Sequence, residues 1–111
     1  MLIIQNDLDT DVPENIMQNG NYIGVTCSPN PASSIINLTC NLPEQCDIKI
    51  EFYNQTGVLV KKTIDNSRAA GQYSQDMDIS DLPEGVYFYS VWASAIKSNH
   101  IYRGSGKVIV E

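Results

Sequence analysis

Four carboxylates fall within one short stretch, at Asp76, Asp78, Asp81 and Glu84. On a strand, Asp76 and Asp78 share a face, which is the placement a paired general acid and base would need. Carboxylates on an outward face stay solvated and keep ordinary pKa values, so a charged surface followed by a turn accounts for the same residues. The single histidine, His100, stands among turn residues with no nucleophile at a recognisable spacing. No G-x-S-x-G, P-loop or H-E-x-x-H motif occurs. We therefore assign no catalytic residue, expect no cofactor and read the chain as a non-enzyme.

Metal and redox chemistry fare little better. Asp7, Asp9, Asp11 and Glu14 invite calcium, but an EF-hand loop starting at Asp7 requires glycine where Val12 stands and glutamate where Gln18 stands. A solvated acidic linker is the simpler account, and no metal site is assigned. Cys27, Cys40 and Cys46 follow C-x12-C-x5-C spacing without a histidine to complete a zinc site. Cys40 and Cys46 flank the connection Asn41–Gln45, and the reading leaves two outcomes open. They face each other across a hairpin as a disulfide, or they remain free as small inward-facing hydrophobes.

The elements that must position these residues are strands. Cys46, Ile48, Ile50 and Phe52 alternate with Asp47, Lys49 and Glu51, the pattern of a half-buried strand. Tyr22 to Cys27, Ser34 to Cys40, Val58 to Ile64 and Tyr73 to Ile79 read as further strands, and Ile101 to Val110 as the last. Val86 to Trp92 is β-branched or aromatic at nearly every position, which suits a central strand covered on both faces and places Tyr87, Phe88, Tyr89 and Trp92 in the core. Pro29 and Pro31 around Asn30 form a rigid corner, Asn54–Gly57 a hairpin turn with Gly57 able to take positive φ, and Asn66–Gly71 a polar connection. With no helical period, the sequence predicts an all-β fold, an immunoglobulin-like antiparallel β-sandwich of about seven strands over residues 22–111, preceded by an acidic and polar lead-in over residues 1–21. Leu2–Ile4 is a candidate extra strand within that lead-in.

Composition bounds the partners. At 111 residues the chain is one domain, and its 42% hydrophobic content supports a modest core. A net charge of −6 opposes nucleic-acid binding and docking on anionic lipid. No apolar run reaches the ~20 residues of a membrane span. The start lacks the pattern of a signal peptide, so the chain reads as either cytoplasmic or an excerpt of a longer exported protein. Asn37-Leu38-Thr39 and Asn54-Gln55-Thr56 match the N-glycosylation pattern, a triplet that arises often by chance.

Several stretches, taken in order, form a pattern. They are Ser28-Pro29-Asn30-Pro31-Ala32, Leu42-Pro43, Phe52 to Val60 with Gly57, Gly71-Gln72-Tyr73, Asp78 to Tyr87 with Leu82 and Gly85, and Gly106-Lys107-Val108-Ile109-Val110. Together they resemble the type A C-terminal sorting domain of the type IX (Por) secretion system of Bacteroidota. The resemblance implies a non-catalytic signal that directs an attached cargo across the outer membrane. Its partners would be the outer-membrane secretion machinery and a sortase-like protease that cuts in the linker before Tyr22. The cargo would pass through the periplasm to the cell surface or the medium. The sorting-motif residues carried over are Pro29, Asn30, Pro31, Gly57, Gly71, Asp78, Leu82, Gly85, Tyr87, Gly106, Lys107, Val108 and Val110. Glu111 departs from the family, many members of which carry a basic residue near the terminus.

A terminal Val-Ile-Val strand with an unpaired edge would invite strand addition by a partner or exchange into a swapped dimer. On that basis, deleting Lys107–Glu111 is expected to abolish sorting while sparing much of the sandwich. The alternative function is an adhesin-type, immunoglobulin-like domain that binds glycan or protein, and exposed aromatic residues would mark it.

Overall fold

The computed structural model describes residues 21–111; the acidic lead-in and the candidate strand Leu2–Ile4 lie outside the described residues apart from Asn21. Eight strands form among them: β1 Asn21–Tyr22, β2 Val25–Ser28, β3 Ile35–Leu42, β4 Cys46–Tyr53, β5 Leu59–Arg68, β6 Gly71–Asp78, β7 Gly85–Ala95 and β8 Ile101–Val110. They make a five-stranded sheet in the order β1-β8-β7-β4-β5 and a three-stranded sheet in the order β2-β3-β6. All pairings are antiparallel except the two-residue β1, which runs parallel to β8. The seven longer strands form the expected all-β sandwich.

Period-two alternation builds the core. Ile36, Leu38 and Cys40 on β3, and Cys46, Ile48, Ile50 and Phe52 on β4, are buried from opposite sheets. Tyr73, Met77 and Ile79 join from β6 and its exit, and Tyr87, Tyr89, Val91, Ala93 and Val108 from β7 and β8. Each large aliphatic or aromatic so covered contributes ~1.5–3 kcal/mol relative to exposure. Buried polar or charged residues are absent from the described core, so desolvation costs little there.

The single strand expected over Tyr22–Cys27 is instead two, because Ile23 and Gly24 carry the chain from one sheet to the other. Ile23 N donates to Arg103 O at 3.0 Å before the chain leaves the β8 edge. Gly104 makes this crossing possible: a Cβ there would lie 2.3 Å from Val25 Cγ2 and 2.7 Å from the Ile23 carbonyl oxygen. β5 also runs on to Arg68, through the first half of the stretch read as a connection.

Two expectations need correction. β7 is central between β8 and β4, yet it is covered on one face only: Tyr87 and Tyr89 point inward while Phe88 is 46% exposed and Trp92 lies half-buried on the outer face. Strict alternation decided this over bulk hydrophobicity. The hairpin between Cys40 and Cys46 does not exist either, since β3 and β4 belong to different sheets. Cys27, Cys40 and Cys46 are free thiols, and burial raises the pKa of each.

Candidate functional site

Strand directions bring stretches scattered over eighty residues to one pole of the sandwich. β4 ends there at Tyr53, and β5 leaves from there at Leu59. β7 begins there at Gly85, and β8 arrives there at Val110, whose register partner is Gly85. The corner after β2 and the loop after β6 close over the same pole, with Ile79 N donating to Ser34 O at 2.7 Å. Pro29, Asn30, Pro31, Gly57, Asp78, Leu82, Gly85, Tyr87, Lys107, Val108 and Val110 are therefore gathered at this end or on the strands leading into it. Gly71 is not; it pairs with Leu42 at the opposite pole.

Most of these side chains have an architectural task. The Tyr87 hydroxyl donates to the Pro83 carbonyl at 2.6 Å, four residues upstream, a tyrosine corner that pins the loop to the strand it feeds. Asp78 Oδ1 accepts from the Ser80 amide at 2.9 Å and the Ser80 hydroxyl at 2.6 Å; these bonds, the hydroxyl's foremost, hold the Asp78 carboxyl below its usual range. Asn54 Oδ1 accepts from Thr56 N, Thr56 Oγ1 and Val58 N, and Gly57 completes the turn at φ 86°. Lys61 Nζ reaches Asp81 at 3.2 Å, joining β5 to the same loop. Gly106 lies under the Tyr89 ring, where a Cβ would sit 2.3 Å from the hydroxyl oxygen. A cleft of about 190 Å³ runs between Asn54–Thr56 and Glu84–Tyr87.

The edge of β8 is closed at this pole. Asn30 Nδ2 donates to Lys107 O at 2.9 Å, and Ile109 N donates to Asn30 Oδ1 at 2.9 Å. Ala32 N donates to Ile109 O at 2.8 Å, and Glu111 N to Ala32 O at 2.8 Å, in a parallel bridge to Val110. The amide of Asn30 and the backbone of Ala32 together act as a short surrogate strand. The unpaired Val-Ile-Val edge expected from the sequence is thus already occupied, and Val108 and Val110 are themselves buried at 0% and 3% exposure. Deleting Lys107–Glu111 would strip part of the core together with any signal.

The opposite pole carries a polar cluster. Glu44 Oε2 accepts from the Tyr102 hydroxyl at 2.7 Å and the Ser98 hydroxyl at 2.8 Å, with His100 Nδ1 at 3.4 Å. These bonds, led by that from Tyr102, lower the Glu44 pKa, and the same bond pushes Tyr102 up to about 12. Ser98 bonds the carboxylate rather than the imidazole, so the nucleophile–base contact of a hydrolase is not made. The cluster fastens the β7–β8 loop to the β3–β4 connection. Asp76 and Asp78 both face outward, as the alternation indicated. Among the described residues, no three His, Cys, Asp or Glu side chains group as a metal site would, and no helix is long and apolar enough to cross a membrane.

Sequence reasoning missed several residues of the five-stranded sheet and of the segment that closes its edge. Ala32 contributes only backbone, which leaves no trace in residue type. Phe88 was placed in the core on its bulk hydrophobicity, although alternation with the buried Tyr87 and Tyr89 is the signal that would have turned it outward. The Trp92 ring has Arg103 at 4.9 Å and Lys49 at 5.8 Å from its centroid, so its face is engaged by cations of the same sheet.

A family model described as the secretion system C-terminal sorting domain matches residues 27–110. No curated protein sequence matches the chain. The match spans both sheets and every stretch at the motif pole, and the chain belongs to this family of type IX C-terminal sorting domains.

Proposed function

We propose, from membership of the sorting-domain family, that the motif pole is the part of this secretion signal which the outer-membrane machinery grips. The family assigns the domain to type IX secretion. The observation that supports the finer reading is the convergence at one end of motif stretches that are remote in sequence. The chain enters β1 beside Tyr102 and Arg103, toward the other end of β8. From Arg103 to Val110 an extended strand spans ~23 Å. A cargo joined ahead of residue 21 would leave the motif pole unobstructed. Removal by a sortase-like protease acting before Tyr22, and delivery through the periplasm to the surface or medium, complete the reading. The domain's own role is recognition rather than catalysis.

Recognition by simple addition of a strand to β8 is disfavoured, because Asn30 and Ala32 hold that edge. For the same reason, a swapped dimer through β8 would first have to release these four hydrogen bonds and the one from Ile23 N to Arg103 O. The test is delivery of a fluorescent reporter fused ahead of residues 22–111, in a Bacteroidota host with and without a working type IX system. Surface or medium delivery confined to the competent host supports the reading. A reporter retained in the periplasm of both hosts overturns it.

A further inference from the structure

The outer face of the five-stranded sheet carries an apolar band that the core does not use. Register places Val86 beside Ile109, and Phe88 between Tyr53 and Lys107, with Tyr53 beside Leu59. Their chain neighbours Phe52, Tyr87, Tyr89, Val108 and Val110 are buried, so the band faces solvent across four strands. Phe88 is 46% exposed, Leu59 45% and Ile109 37%. An apolar band on an otherwise solvent-facing sheet is a candidate interaction surface.

Charge on this face runs against that of the whole chain. Of the seven basic residues in a chain of net charge −6, Lys49, Lys62, Arg103 and Lys107 belong to this face, against Asp47 and Glu51. Lys49 and Arg103 are turned to the Trp92 ring. Lys62 and Lys107, which flank the band, have no ion-pair partner among the described residues. The outer face of the other sheet instead presents Asp76 and Asp78 with Asn37, Thr39 and Ser74.

We propose that this band is a docking surface for a protein of the secretion machinery that presents an apolar centre ringed by carboxylates. The proposal rests on the sorting reading above. A second copy of the chain fits poorly. Face-to-face pairing would set the lysines of one copy against those of the other, and stacking on the three-stranded sheet would press the band onto a polar surface. An acidic, apolar-centred partner satisfies both the band and its two free lysines.

The test uses the full 111-residue chain behind an exported reporter in a type IX-competent host, with melting of the purified chain as a control for folding. Phe88→Glu and Leu59→Glu are each expected to cut delivery at least ~10-fold, as loss of a central apolar anchor does. The double change Lys62→Glu with Lys107→Glu should act in the same direction. Thr26→Glu on the outer face of the three-stranded sheet should leave delivery unchanged. Should a glutamate variant melt early, Phe88→Thr removes the ring with a residue suited to strands. Normal delivery of a folded Phe88 variant overturns the docking surface, as does an equal loss in Thr26→Glu. A stable dimer of the unsubstituted chain that Phe88→Glu dissolves also overturns it, by making the occupant a second copy. Failure of the unsubstituted chain to be delivered would instead sink the sorting reading on which the proposal stands.

Discussion

Asn30 and Ile109 are joined as two neighbouring strand residues would be, although Asn30 contributes its side chain. Ile109 N donates to Asn30 Oδ1, while Asn30 Nδ2 donates to Lys107 O, both at 2.9 Å. A primary amide reproduces the donor and acceptor of a peptide group, which is why asparagine suits a place where no strand is available to cover an edge. Asn30→Ala removes both bonds and is expected to lower stability by about 1–2 kcal/mol, seen as a fall of several degrees in Tm. Asn30→Asp keeps the acceptor but sets a carboxylate against the Lys107 carbonyl, so it should be no better than alanine. The exposed edge should also make Asn30→Ala self-associate as concentration rises, which sedimentation would detect.

Gly106 and Tyr89 share one volume. Gly106→Ala is expected to destabilise the domain by about 1–3 kcal/mol, because the new methyl meets the Tyr89 hydroxyl and ring. Tyr89→Leu shortens the obstructing side chain, so the double variant should lose less than the two single losses combined. A double-mutant cycle by urea denaturation measures this coupling.

Tyr87→Phe deletes the hydroxyl that bonds the Pro83 carbonyl at 2.6 Å and nothing else. The expected loss is about 0.5–1.5 kcal/mol. The loop from Ile79 to Glu84 should become the first segment of the domain to exchange its amide hydrogens, while β4 keeps its protection.

Deleting Lys107–Glu111 removes the burial of Val108 and Val110, ~1.5–3 kcal/mol for each. Against a total stability of ~5–15 kcal/mol that is a large share. The expected result is loss or marked broadening of cooperative melting, so failed secretion of this variant reports on folding. Lys107→Ser leaves Val108 and Val110 in place and separates recognition from stability.

Acid and alkali should each weaken the fold through the Glu44 cluster. The Glu44 carboxyl titrates below its ordinary value of 4.5, so its contribution is complete above that pH and is lost as pH falls through the lowered pKa. Tyr102 is raised from 10 to about 12, so its contribution is complete below pH 10 and disappears as pH climbs toward about 12. Melting temperature should therefore be flat between about pH 5 and 9. Glu44→Gln should flatten part of the acid limb and, by removing the charge beside Tyr102, part of the alkaline limb as well.

Strands β4 and β6 were legible because each alternates cleanly: Ile48, Ile50 and Phe52 against Asp47, Lys49 and Glu51 leaves no other reading. The outward face of Phe88 and Trp92 was obscured by their own hydrophobicity, which suggested burial on both sides where the alternation did not. The closure of β8 was hidden for another reason. Two of its four bonds come from the backbone of Ala32, and backbone groups are the same in every residue. The tyrosine corner at Tyr87 could have been inferred, since Pro83 stands four residues before it. The Glu44 cluster could not, because Ser98, His100 and Tyr102 are more than fifty residues away and only the fold brings them together.

β1 runs parallel to β8, and Ala32 bridges Val110 in the same sense. A cargo tethered ahead of Asn21 and a grip on the final strand would therefore pull these neighbours past each other along their length. The hydrogen bonds at Ile23–Arg103 and Ala32–Ile109 would then share the load and yield together, whereas bonds peeled from one end yield singly. Loaded in that way, the attachment would behave as a shear joint rather than as a zipper.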